Sequence, residues 1–167
     1  RNYAMADFLD KLTSYNLFNY LLPGIVFAAI ASHLTPLELI QDDMIVGVFF
    51  YYFLGTVISR FGSLFLEPLL KGIGFVKYEE YGLYLKASKS DEKIGILLEA
   101  SNMYRTMLSV FVLLAVLKAY FEFGQLLLKV EVYGDWMAIL FLLALFLYSY
   151  RKQTKFISKR ISRVLNG

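Results

Sequence analysis

The sequence predicts an all-α integral membrane protein: a four-helix bundle whose third and fourth helices extend into the cytoplasm. Three observations carry this reading. Four apolar runs, at about residues 17–34, 44–66, 103–120 and 136–150, divide the 167-residue chain. The composition is 58% hydrophobic and the mean hydropathy is +0.55, too apolar for a water-soluble domain of this length. The basic residues also fall on alternate sides of these runs. The connection 35–43 carries Glu38, Asp42 and Asp43 and no Lys or Arg, whereas 71–100 carries five lysines. The tail after Tyr150 carries six Lys and Arg and no acid. Basic residues near a span resist translocation. The chain therefore reads as a single transmembrane domain, 1–167, of a bacterial inner membrane, with both termini and the central loop in the cytoplasm.

Taken in order, residues 2–14 form a short amphipathic lead-in, with Phe8, Leu9 and Leu12 set against Asp7, Asp10 and Lys11. This start is polar, and the first apolar run holds Pro23-Gly24 instead of a processing site, so no cleavable signal peptide is predicted. The chain begins at Arg1, so an initiator Met is expected upstream. Pro23 removes a backbone donor and crowds the preceding turn, which predicts a kink or break in the first span. Breaks of this kind line ion sites in some transporters; a simple bend is the plainer reading.

In the second run Arg60 lies ~24 Å from Met44 at 1.5 Å per residue, where it snorkels at the inner boundary. Gly55, Ser59 and Ser63 recur at a spacing of four, a small-residue stripe read as an oligomer contact. Pro68 is expected to end the regular helix, leaving 69–76 along the inner surface. In the central loop a short helix is predicted over 79–87 and a turn at 88–90. Ser90 is expected to cap the next helix, with Asp91 and Glu92 at its positive end.

From there nothing stops the helix before Tyr120. A length of ~45 Å exceeds a bilayer core of ~30 Å, so its first turns project into the cytoplasm. Ile94, Leu97, Leu98 and Ser101 are expected to be its buried stripe. The fourth run is short, ~22 Å, and either borrows residues 130–133 or thins the bilayer. Tyr133 and Trp136 at one end, and Tyr148 and Tyr150 at the other, are placed as interfacial anchors. Beyond it Phe156, Ile157, Ile161, Val164 and Leu165 recur at helical spacing among basic residues, predicting an amphipathic cytoplasmic helix.

Catalytic signals are weak. There is no cysteine, hence neither disulfide nor thiolate metal site, and His33 is the one histidine. Every Asp falls in a loop or the lead-in, and Asp42-Asp43 reads as a solvated helix start before a cation site. No enzyme activity, cofactor or metal is expected.

The informative set is a polar layer at the inner span ends: Asn16 and Asn19, Arg60 and Glu67, and Ser101, Asn102 and Arg105. Each is expensive to bury alone, so Glu67 should pair with Arg60 or Arg105. The layer either couples a membrane event to the cytoplasmic helices, forms the inner mouth of a pore, or simply anchors helix depth and register. Lys118 is expected to snorkel outward. In the tail, Lys152, Lys155, Lys159 and Arg163 either serve orientation, contact a cytoplasmic partner, or bind anionic lipid at ~1 kcal/mol each. Direct nucleic-acid contact would rest on charge alone.

Residues 16–24 (NLFNYLLPG) and 99–107 (EASNMYRTM), within four spans and a short inner loop, resemble small bacterial membrane proteins of anti-phage defence operons. The nearest are the membrane subunits of Kiwa-type systems. The resemblance lies in the overall plan and assigns no functional residue. It implies a homo-oligomer, a tetramer, that docks a cytosolic effector which senses or restricts phage. The expected function is thus a non-enzymatic scaffold or sensor. The alternative is an oligomeric pore or ion channel that depolarises the membrane, which the gathering of polar residues at span ends disfavours.

Overall fold

Proline placement shapes the helices of this chain. The structure, a computed structural model, describes residues 17–91, 93–124, 140–149 and 151; every element among them is helical. A π-helical turn, Leu17–Leu21, leads into α1 (Leu22–Leu34), and Pro23 stands at the start of that helix. The arrangement recurs in the second run. There α2 (Met44–Phe61) passes through a π turn, Gly62–Leu66, into α3 (Glu67–Gly72), with Pro68 at its start. A proline inside an α-helix clashes with the carbonyl four residues back and lacks its donor. The wider turn relieves both, and Glu67 N–H donates to Gly62 O five residues back. Pro68 therefore does not end the helix, as the sequence suggested; 44–72 is one 29-residue helical stretch.

The connection 35–43 is tied to the helices it joins. Thr35 Oγ1 donates to Ala31 O, Leu39 N–H to Ser32 Oγ and Gln41 N–H to Tyr51 Oη. Asp43 caps α2 by accepting from Ile45 and Val46 N–H, so the acidic pair is a helix start as expected.

After a turn at 73–76 come α4 (Tyr81–Ser90) and the 27-residue α5 (Lys93–Ala119), which continues as a π turn, Tyr120–Gly124. Ser90 does not cap α5; it closes α4. The carboxylate of Asp91 accepts from Lys93 N–H in its place, because a carboxylate reaches the orphan donors and favours the positive helix end. Toward the other end of α5, Lys118 pairs with Glu122, one turn on.

Helices α1 and α5 flank α2, and both run against it. Backbones of α1 and α2 touch. An ideal Cβ on Gly24 would lie 1.8 Å from Tyr51 O, and one on Gly55 would lie 1.7 Å from Tyr20 O. Beyond this contact Phe27 and Ala31 of α1, Ile58 of α2, and Val110 and Leu114 of α5 form the buried core. The stripe Gly55–Ser59–Ser63 is therefore not an open oligomer surface. Gly55 meets α1, and Ser59 is buried with its hydroxyl 3.4 Å from Thr106 Oγ1 of α5. A strict spacing of four drifts about 80° over eight residues of a 3.6-residue helix. Ser63 accordingly leaves this face half-buried, and Gly62 takes its place against Ser109 and Arg105.

The second correction concerns the stripe on α5. Ile94 is half-buried, but Leu97 is 67% exposed and Ser101 is exposed. With Val76, Tyr78 and Tyr84 they line an open apolar groove, because α4 is too short to cover them.

The last described helix, α6 (Leu140–Ser149), packs on α2 and the π turn after it through two ring stacks, Phe53 with Phe146 and Phe65 with Phe141. These order α6 against α2. An up-and-down bundle of four would set its fourth helix parallel to its second, so this order differs from the expected one. Flanking charge orients a span in a bilayer but does not choose which aromatic faces match. The chain has no native cysteine, which gives a clean test. The pairs Phe65→Cys with Phe141→Cys and Phe53→Cys with Phe146→Cys should cross-link through a short bifunctional thiol reagent. The exchanged pairs should not, and equal yields from both sets would refute the order.

Among the described residues two stretches, Met44–Gly72 and Lys93–Phe123, are long and apolar enough to cross a membrane. Only 22% of the apolar window in each is buried. Their apolar side chains face outward, the reverse of a core helix in a water-soluble protein.

Candidate functional site

Antiparallel packing brings the start of α1, the end of α2 and the lower part of α5 to one end of the bundle. A polar junction forms there around a cavity of about 160 Å³. Asn19 and Tyr20 line it from the π turn before α1, Ser59 and Arg60 from α2, and Asn102, Arg105 and Thr106 from α5. Four residues expected to form a polar layer, Asn19, Arg60, Asn102 and Arg105, thus share one cavity.

Glu67 completes the junction from α3. Of its two expected partners it takes Arg105, whose Nη1 lies 2.5 Å from Glu67 Oε2. Their side chains are 18% and 12% exposed, so little water screens the pair. Glu67 Oε1 also accepts from Lys71 Nζ at 2.7 Å. The Lys71 ammonium in turn sits 3.9 Å from the ring centroid of Tyr78, a favourable cation–π position. One carboxylate therefore joins α5 to α3 and, through Lys71, to the groove that Tyr78 lines.

Arg60 is placed differently. Its Nη2 donates to Tyr20 Oη at 3.5 Å, and no carboxylate of the described residues forms an ion pair with it. The Nε of Arg105 is buried without a partner. Thr106 Oγ1 donates to Asn102 O, and Ser109 Oγ to Arg105 O. These back-bonds within α5 hold its hydroxyls near the cavity and under Gly62.

Tyr20, Ser59 and Thr106 were not in the expected polar layer. Their hydroxyls line the cavity because α1 and α2 approach at Gly24 and Gly55, and that pairing was the available signal. Asn16 of the layer, and Lys152, Lys155, Lys159 and Arg163 of the basic tail, lie outside the described residues. The chain matches no protein-family model, no curated protein and no solved structure.

Proposed function

We propose that the chain is a multi-pass protein of the bacterial inner membrane that works, without catalysing a reaction, as a scaffold and sensor. In this reading α1, α2 and α5 cross the bilayer and the polar junction sits at its inner edge. From the junction each helix carries roughly 22–27 Å of apolar length at 1.5 Å per residue, close to the ~30 Å hydrocarbon core. The lysines of 71–100 lie on the junction side and the acids of 35–43 on the other, which by the basic-residue rule puts the junction in the cytoplasm.

The relay Arg105–Glu67–Lys71–Tyr78 carries the sensing role. The same unbroken α5 holds Val110 and Leu114 in the core, Arg105 in the junction and Leu97 in the exposed groove. A shift of the spans thus reaches the cytoplasmic groove through one rigid helix and one shared carboxylate. The groove side is where a cytosolic effector docks. Following the resemblance, the chain assembles as a homo-oligomer, a tetramer, in anti-phage defence. The apolar core above the cavity favours a sensor over a conduit through the chain.

The test is phage plating on cells that carry the chain with its neighbouring genes. Lys71→Ala and Glu67→Gln should each lower protection. Labelling at a single introduced cysteine, Gln41→Cys, should show that both variants still insert. Full protection together with an unchanged oligomer mass in both variants would sink the reading. Steady conductance of the purified protein in a planar bilayer would favour the pore.

A further inference from the structure

We propose that the junction cavity binds a phosphate group. The site stands on the cavity's own chemistry; only a lipid source for the phosphate rests on the membrane reading above.

Among the described residues the charges at the junction do not balance. Arg60, Lys71 and Arg105 are cations, and the one carboxylate among these groups, Glu67, is divided between Lys71 and Arg105. Among the described residues Arg60 has one long hydrogen bond, to the Tyr20 hydroxyl. That hydroxyl accepts from Arg60 and keeps its own proton to give. The Nε of Arg105 is buried without a hydrogen bond, and so is one acceptor among the cavity-lining residues, the Oδ1 of Asn19. Among the described residues donors still outnumber acceptors, around a space large enough for several waters or one tetrahedral oxyanion.

Water satisfies hydrogen bonds but does not neutralise a guanidinium, and a partly desolvated charge without a counter-charge is costly. An anion does both. A guanidinium presents a planar fork of donors suited to phosphate and carboxylate oxygens. Here the donors come from three helices around the cavity and not from one plane. That arrangement suits the divergent oxygens of a phosphate better than a flat carboxylate. The phosphate belongs either to a lipid headgroup at the inner edge of the bilayer or to a free species from the cytosol.

The experiment uses the full chain in a phosphate-free maltoside detergent. In one arm, protein extracted from membranes containing phosphatidylglycerol is weighed by native mass spectrometry. Wild type should retain one phospholipid per chain, and Arg60→Gln should lose it. In the other arm, delipidated protein is titrated with inorganic phosphate, followed by thermal unfolding and phosphorus NMR line width. Arg60→Gln should bind about tenfold more weakly or worse. Lys89→Gln, exposed on α4, should bind as wild type.

Arg60 makes no ion pair with the described residues, so Arg60→Gln should melt no lower than wild type without ligand. If it melts lower, Asn102→Ala serves as the second variant with the same expected weakening. Retention of lipid without a phosphate response assigns the headgroup, and the reverse assigns a free phosphate; both support the site. Absence of both, or unchanged binding in the variants, overturns it and leaves a water-filled cavity. The phosphate titration involves neither topology nor phage, so it stands or falls apart from the sensor reading.

Discussion

Gly55→Ala and Gly24→Ala should each remove about 3 kcal/mol or more of stability, the upper part of the range for overpacking a core or beyond it. In most overpacked sites a side chain yields. Here the new methyl would meet carbonyl oxygens of the facing backbone, at 1.7 Å for Gly55 and 1.8 Å for Gly24. Contacts of a Cβ closer than 3.0 Å do not occur in practice, so the helices must part by more than an ångström. Parting them loosens Phe27, Ala31 and Ile58 in the core and draws Tyr20 away from Arg60. Close packing across small residues also drives helix association in a bilayer, where burial of apolar surface contributes little. The two substitutions should not add, because the first already opens the contact that the second would open. Gly95→Ala is the control: nothing lies within 4 Å of its added methyl, and an alanine inside a helix gains about 0.5–1 kcal/mol over glycine. Unfolding of the purified protein in mixed micelles of rising SDS content reads all four variants. A Gly55→Ala protein as stable as wild type would show that the two backbones do not touch.

The helical class and the polar layer were legible from local pattern; the pairings between helices were not. An unbroken apolar run with charges at its ends specifies a helix without knowledge of its neighbours, which is why α2 and α5 fall close to where the sequence put them. The partner of Glu67 was narrowed to two arginines because the cost of burying a carboxylate demands a cation. Choosing Arg105 needed the antiparallel setting of α5 on α2. The stripe of Gly55 and Ser59 was recognised as a close-approach surface, but a spacing rule cannot say whether the approaching helix belongs to the same chain. Gly24 held the answer and was read only as part of a bend. Pro68 was taken for a terminator because proline breaks the α ladder, and only the π turn before it carries the helix onward. The order of α6 rests on which aromatic faces meet, which flanking charge does not determine. Exposure of Leu97 was hidden for a related reason: helical spacing identifies a stripe, and whether it is covered depends on the length of α4.

Glu67→Gln should cost about 2–3 kcal/mol, and Arg105→Gln distinctly less. Removing one partner from a fully buried ion pair costs about 3–5 kcal/mol because the other charge is stranded. This pair is mostly but not wholly buried, which lowers the figure. The asymmetry follows from the shared carboxylate. Without Arg105, Glu67 still holds Lys71 at 2.7 Å and is not stranded. Without the Glu67 charge, Arg105 and Arg60 face one cavity with no neutralising anion from α3. Lys71→Gln should change stability by less than about 1 kcal/mol, since its side chain is 42% exposed and water already screens it. A double-mutant cycle over Glu67 and Arg105, read by unfolding in mixed micelles at low and high salt, isolates the pair. Coupling that persists in high salt marks the pair as sheltered, and equal costs for Glu67→Gln and Arg105→Gln would contradict the shared-carboxylate geometry. The same change should strengthen anion binding, because the cavity gains an unbalanced positive charge. A bound anion stabilises the native state according to its concentration over its dissociation constant. Phosphate should therefore restore more stability to Glu67→Gln than to wild type, linking the ion pair to the cavity it borders.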